Sequence, residues 1–172
     1  VIKERLKKSI KPENKILCGI SWISKTGEIG VNKSITLETL KPVLKIENIE
    51  FIDLQYGDTS IEREKFYNEY KIKINKIENI DNFNDLNGLS SLIDVCDFVI
   101  TISNTNAHIS GSLGKKTFLL LPKGKGRLWY WITEKERSVW YPQIEIVEQE
   151  EVGGWQKVIK KLEKKVREHL VE

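Results

Sequence analysis

Residues 85–122 read DLNGLSSLIDVCDFVITISNTNAHISGSLGKKTFLLLP. Leu86, Leu89, Leu92, Ile93 and Cys96 recur at the spacing of one helical face, and Asp85 stands where an N-cap belongs. DFVITI follows with almost no polar alternation, the pattern of a strand covered on both faces. The apolar run stops at Ser103, and Ser103, Asn104 and Thr105 lead into a short helix over Thr105–Leu113. Gly111 lets that helix approach its neighbours and Gly114 ends it. TFLLLP is the next strand, closed by Pro122. Helix, strand, helix, strand with short connections is the repeating unit of a parallel sheet.

The same alternation extends both ways. Upstream, KILCGISW (15–22) reads as a strand and ISKTGEIGVNKS as a loop. TLETLKPVLKI follows as a helix with Leu37, Leu40 and Leu44 on one face and Pro42 shortening or distorting it. EFIDLQ (50–55) is a strand, IEREKFYNEY (61–70) a polar-surfaced helix, and KIKINKIE (71–78) a strand with its connection. Downstream, a loop rich in Gly, Lys and Trp leads to the weaker strand IEIVEQ. A last helix, Trp155–Leu170, carries Val158, Leu162, Val166 and Leu170 in one stripe. The expected fold is α/β: an open, mainly parallel sheet with helices on both faces.

A chain of 172 residues, 40% apolar, suits one domain with one substantial core. No apolar run is long enough to span a bilayer, and the basic opening VIKERLKKSIKPENK lacks a signal-peptide core. The sequence contains no methionine, so the expectation is a piece of a longer protein, its C-terminal part. Net charge is only +3, with 28 basic residues dispersed among 25 acidic ones, which gives no footprint for nucleic acid. Cys18 and Cys96 lie in or beside apolar runs, so buried free thiols and a reducing, cytoplasmic setting are expected, without metal-ligand spacing.

Ligands of open α/β sheets bind outside the carboxyl ends of the strands. Ser103, Asn104 and Thr105 hold that position, where the first helical N–H groups lack internal partners and favour phosphate. His108, one turn on, either turns toward the same anion or is a satisfied interior histidine; equally, one of the three polar residues merely caps the helix. Gln55 and Tyr56 follow another strand and would meet a base or ribose, or else serve as a polar edge and a core aromatic. Lys33 would neutralise a diphosphate, unless it is one solvated lysine among many. Lys123, Lys125 and Arg127 sit in a glycine-rich loop within reach of a phosphate. Trp129, Trp131, Trp140 and Trp155, with Tyr130 and Tyr141, read as a satellite core in preference to a sugar-stacking shelf. KGKG does not have P-loop spacing, and no dinucleotide glycine fingerprint follows the first strand. Paired carboxylates, a Ser-His-Asp order and H-E-x-x-H are all missing, leaving His108, of the two histidines, as the candidate near-neutral proton carrier.

GISW (19–22), NKSITLETLKPVL (32–44), FIDLQYG (51–57), the stretch 85–122, RLWYW (127–131), SVWYP (138–142) and GGWQKVI (153–159) together resemble the C-terminal nucleotide-binding domain of GT-B glycosyltransferases. The similarity is to bacterial tetratricopeptide-repeat proteins with O-GlcNAc-transferase-like or heptosyltransferase-like regions, and it covers about residues 15–170. It implies a Rossmann-like domain over 15–172, with 1–14 as a linker or interdomain helix, that binds a UDP-, GDP- or ADP-linked sugar. It further implies a partner Rossmann-like domain or repeats N-terminal to this one, and no separate cofactor. By resemblance Lys33 contacts the diphosphate, Gln55 and its neighbours lie near the nucleotide, Ser103, Asn104 and Thr105 face the phosphate, and His108 is the family histidine. Many relatives begin this helix with Asp-Thr where Ser103-Asn104 stand here, and the Lys123–Arg127 loop also departs from the common form. The competing expectations are a non-catalytic binding module that keeps the fold, and a nucleotide-dependent oxidoreductase or ligase domain, which the missing phosphate loops disfavour.

Overall fold

The computed structural model describes residues 15–171; the linker assigned to 1–14, and the helix expected over 2–10 within it, lie outside the described residues. The chain runs β1 (Ile16–Ser21), α1 (Gly27–Lys33), α2 (Leu37–Leu44), β2 (Ile49–Asp53), α3 (Ser60–Tyr70), β3 (Ile74–Asn75), α4 (Leu86–Val95), β4 (Phe98–Ile102), α5 (Thr105–Ser112), β5 (Thr117–Leu121), β6 (Thr133–Glu134), β7 (Arg137–Ser138), β8 (Ile144–Glu148) and α6 (Trp155–His169). The sheet order is β3-β2-β1-β4-β5-β8-β7-β6. The first six strands in that order are parallel. A short antiparallel hairpin, β6–β7, extends the β8 edge.

Side-chain alternation along buried strands sorts the core into two layers. Cys18 and Ile20 of β1, Phe98, Ile100 and Ile102 of β4, and Phe118 and Leu120 of β5 face one side. There they meet Leu37, Leu40, Val43 and Leu44 of α2 and the stripe Val158, Ile159, Leu162 and Val166 of α6. Leu17, Ile52, Leu54 and Val99 face the other side and meet Leu89, Leu92, Ile93 and Val95 of α4. Leu119, Leu121, Ile144 and Ile146 continue that second side, under Ala107 of α5 and Trp131. Truncating a fully buried stripe residue such as Leu162 to Ala costs about 2–5 kcal/mol by the usual cavity penalty.

Three sequence expectations need correction. The stretch after β1 is not wholly loop: Gly27–Lys33 is helical. Two glycines in seven residues hide it, but Gly30 is what the packing demands, since a Cβ there would lie 2.4 Å from the Ser24 carbonyl oxygen. The Ser34 hydroxyl closes this turn by donating to the Gly30 carbonyl (2.7 Å) and accepting from the Ser24 N–H (2.8 Å). The hairpin β6–β7 was not legible, because two-residue strands carry no periodicity. Leu86, expected on the inner face of α4, is exposed. Pro42 sits inside α2 without ending it.

Candidate functional site

The strand order reverses between β1 and β4, where successive crossovers leave in opposite directions. Such a switch point opens a crevice at the carboxyl ends of the strands. A cleft of about 420 Å³ occupies it, lined by Ser24, Lys25 and Thr26 after β1, Lys33 of α1, Tyr56 after β2, Asn82 and Phe83 before α4, Leu86 and Leu89 of α4, and Asn104, Thr105 and Asn106 at the start of α5. That volume falls in the range of small-molecule sites.

The wall beside α5 is held by side chains of two strands. Asn104 caps the helix, its Oδ1 accepting from the Asn106 N–H at 3.0 Å. The Thr101 hydroxyl also donates to that oxygen (3.1 Å), Asn104 Nδ2 donates to Ser21 Oγ (3.0 Å), and Ser21 and Thr101 hydroxyls meet at 2.6 Å. This ring ties the ends of β1 and β4 together and fixes where α5 begins. Thr105 is exposed at the first helical position, at the positive end of the helix dipole, while the next two N–H groups are taken, Asn106's by Asn104 Oδ1 and Ala107's by the Asn104 carbonyl.

Among the described residues, two lysines and no carboxylate line the cleft. Lys33 is only 5% exposed. Burial pulls its ammonium below the ordinary lysine range, with no charged neighbour restoring it. Among the described residues no hydrogen bond or ion pair reaches it. Lys25 is exposed on the rim, 5.9 Å from the Tyr56 ring centre. Tyr56 accepts the Lys25 N–H on its hydroxyl at 2.6 Å and stands 5.9 Å from Phe83, ring to ring.

Of the residues singled out from the sequence, the structure brings Lys33, Tyr56, Asn104 and Thr105 to one cleft. The others lie outside its lining. Gln55 is buried; its Oε1 accepts from the Trp22 and Ile23 N–H groups and its Nε2 donates to the Ile23 carbonyl, which staples the loop after β1. Ser103 is fully buried and accepts from Trp131 Nε1 at 2.8 Å. Arg127 bridges Glu148 (2.6 Å) and the carbonyls of Leu128 and Trp131. The Lys123 side chain is exposed, and Lys125 pairs on the surface with Glu28 at 3.4 Å.

His108 belongs to an aromatic cluster. Its ring stacks on Trp131 at 4.9 Å and 20°, and Nδ1 lies 3.3 Å from the Tyr141 hydroxyl. Burial lowers its pKa, so the imidazole is neutral at physiological pH. Gly111 admits Tyr141 against α5: a Cβ there would be 2.4 Å from the Tyr141 ring. The satellite core therefore exists, but only Trp131 is sealed in it; Trp129 and Trp140 are exposed and Trp155 packs on the α6 side.

Sequence reading missed Ser24, Lys25, Thr26, Asn82, Phe83 and Asn106 as lining residues. The first three were within reach of the strand-end rule, since they follow β1 directly. Asn82 and Phe83 lie seven and eight residues beyond the two-residue β3, too far for that rule to point to them.

Switch-point cleft, strand order and layers define a doubly wound, Rossmann-like domain of the kind that forms one half of a GT-B glycosyltransferase. No protein-family model and no curated protein matches the chain. Among solved structures the chain is similar to a glycosyl transferase family 9 protein from Veillonella parvula DSM 2008, with TM-score 0.63 and 12% identity over 97% of this chain and 50% of that one. It is likewise similar to the E. coli heptosyltransferase WaaC with ADP, with TM-score 0.61 and 11% identity over 96% of this chain and 48% of that one. At such identity the likeness is one of fold, and the chain spans about half the length of both structures. Among the described residues no helix is long and apolar enough to cross a membrane.

Proposed function

We propose that this chain is the donor-binding half of a glycosyltransferase. Its cleft holds a nucleotide-diphosphate sugar, UDP-, GDP- or ADP-linked, whose sugar passes to an acceptor bound by a second Rossmann-like half. The observation that carries this reading is Lys33: a buried ammonium with no acidic partner among the described residues, in a cleft at the strand switch point that none of their carboxylates lines. Burying a cation is costly unless something neutralises it, and a diphosphate does so.

In this reading Lys33 meets the diphosphate, the start of α5 at Asn104 and Thr105 lends it the positive end of the helix dipole, and Tyr56 lies along the nucleoside. As the glycosidic bond breaks, negative charge grows on the departing diphosphate, and this fixed positive wall stabilises it without reorganising. His108 stays with Trp131 and Tyr141 and has no part at the phosphate. Among the described residues no carboxylate or histidine lines the cleft to activate an acceptor. That proton transfer falls to the partner half, so the 172-residue chain alone binds donor but turns over little.

That absence is also what favours the second reading, a non-catalytic module that binds nucleotide on the same fold. The test is calorimetric or NMR titration with UDP, GDP and ADP, each against its monophosphate, in the parent chain and in Lys33→Ala. A diphosphate preference that falls about tenfold or more in the folded variant supports the anion site, from the strength of a charge-assisted bond. No binding up to millimolar nucleotide by the folded chain overturns it. Sugar transfer by the natural protein, lost with Lys33→Ala, selects the donor-binding reading; binding with no transfer selects the module.

A further inference from the structure

Helix α1 is poorly equipped to hold itself. It is seven residues long, includes Gly27 and Gly30, and its N-cap Thr26 makes no side-chain capping bond. So short a helix is marginal alone, and each glycine weakens it further. Tertiary packing adds little: among the described residues none of its side chains joins the three buried apolar clusters, and Ile29 and Val31 are exposed. Only Gly30 and Lys33, three positions apart on one face, are buried. Glu28, Val31 and Asn32 are exposed around the rest of the turn. A rotation of α1 by one residue, about 100°, would therefore carry Lys33 out of the cleft.

One hydroxyl opposes that rotation. Ser34, the residue after Lys33, donates to the Gly30 carbonyl at 2.7 Å and accepts the Ser24 N–H at 2.8 Å. Ser24 itself lines the cleft. A single oxygen thus ties the inner face of α1 to the segment leaving β1, and among the described residues no other side-chain hydrogen bond links the two. Just beyond, the Ile35 N–H donates to the Trp22 carbonyl at 3.0 Å, so losing the hydroxyl loosens α1 without releasing β1 or α2.

We infer that Ser34 is a positioning residue of the cleft: its hydroxyl sets the rotation of α1 that delivers Lys33 to the bound anion. The inference rests on the donor-binding reading for what Lys33 meets, whereas the placement of Lys33 can be read without ligand. A binding group displaced by even an ångström from its productive place loses much of its effect. The charged groups on α1 and the cleft wall are few: Lys25 at the rim, and Glu28, paired on the surface with Lys125. The lowered pKa of Lys33 comes from burial alone. Release of α1 into solvent therefore returns it toward the ordinary lysine value.

The experiment is an NMR pH titration of the lysine side chains in the parent chain, Ser34→Ala, Ser34→Thr and Gly30→Ala, the Lys33 signal being the one missing from Lys33→Met. Binding of UDP, GDP and ADP is measured on the same folded proteins. Ser34→Ala is expected to raise the Lys33 pKa toward the ordinary lysine range and to weaken the tightest nucleotide roughly tenfold. Ser34→Thr keeps the hydroxyl and should restore both. Gly30→Ala opens the same clamp from the other side, with its Cβ 2.4 Å from the Ser24 carbonyl oxygen, and should match Ser34→Ala. It decides the matter should Ser34→Ala not fold. A Lys33 pKa unchanged in folded Ser34→Ala overturns the inference whatever binding does, because a hydroxyl that only adds stability leaves the lysine buried. Binding that falls in Lys33→Met but not in Ser34→Ala overturns it as well. A raised pKa, with binding unmoved in both variants, upholds Ser34 as what places Lys33 and overturns the donor-binding reading instead.

Discussion

Replacing Lys33 by Met separates a binding residue from a structural one, because the two roles predict opposite signs. The ammonium is buried without an acidic partner, and burial depresses its pKa. In the unliganded protein the charge therefore opposes folding. Lys33→Met retains the linear stem and removes the charge, which should stabilise the free protein by about 1 kcal/mol, as substitutions that relieve functional strain do. For a chain of this size that is a rise of about 2–4 °C in Tm. On the proposed donor-binding reading the same change removes a charge-assisted contact to the diphosphate worth about 1.5–3 kcal/mol, weakening binding roughly 10- to 150-fold. At a nucleotide concentration 100 times the parent Kd, ligand stabilises the parent by about 2.7 kcal/mol, but a variant binding tenfold weaker by only about 1.4 kcal/mol. Thermal melts of parent and variant, each with and without nucleotide, read these shifts. The variant should melt higher alone and gain less from ligand. A variant that melts lower alone and gains as much as the parent would refute the assignment, since Lys33 would then be a supporting residue.

Lys33 also gives a pH signature. Its folded pKa lies below the unfolded value, so between the two the unfolded chain binds more protons and stability rises with pH. That rise should vanish in Lys33→Met, while nucleotide affinity of the parent should fall as pH climbs through the depressed pKa; a pH-independent affinity across the alkaline range would contradict it. Asn104→Ala removes the α5 cap and the bond to Ser21, and should cost about 1–2 kcal/mol in urea unfolding together with weaker nucleotide binding. Gly111→Ala drives a Cβ to 2.4 Å from Tyr141, so a loss of about 1–3 kcal/mol with altered tryptophan fluorescence is expected, and neutral behaviour would show that Tyr141 moves freely. The His108 pKa is lowered by burial, so the unfolded chain takes up a proton that the folded one resists, and stability is lost as pH falls below the ordinary histidine range. His108→Gln should flatten that loss between pH 7.5 and about 5 in urea melts, and identical slopes in both proteins would remove histidine from the account.

The parts of the fold that were legible are those whose local pattern and global burial agree. FVITI and TFLLL have no polar face because both sheet faces are covered, and Val158, Leu162 and Val166 share a stripe because α6 buries only one side. The candidate site was legible where position along the chain implies position in space: residues just past a parallel strand stand at the cleft, as Tyr56, Asn104 and Thr105 do. Helix α1 was not, since its stability comes from Ser24 and Ser34 and from the close pass at Gly30.

Direction is a different matter from position. Ser103 and Gln55 follow strands as Thr105 and Tyr56 do, and their side chains are as polar, yet they turn inward to Trp131 and to the loop after β1. Arg127 is as cationic as Lys33, but Glu148 neutralises it. Asn82 draws notice only through one oxygen with no partner among the described residues, and what could partner it is set by the segments packed around it. One-dimensional order thus settles the alternation of strands and helices and hence the α/β sheet, because hydrophobic periodicity acts within a few residues. Which polar groups remain free to meet an anion was settled by packing, because satisfaction of a donor or acceptor is a property of neighbours distant in the chain.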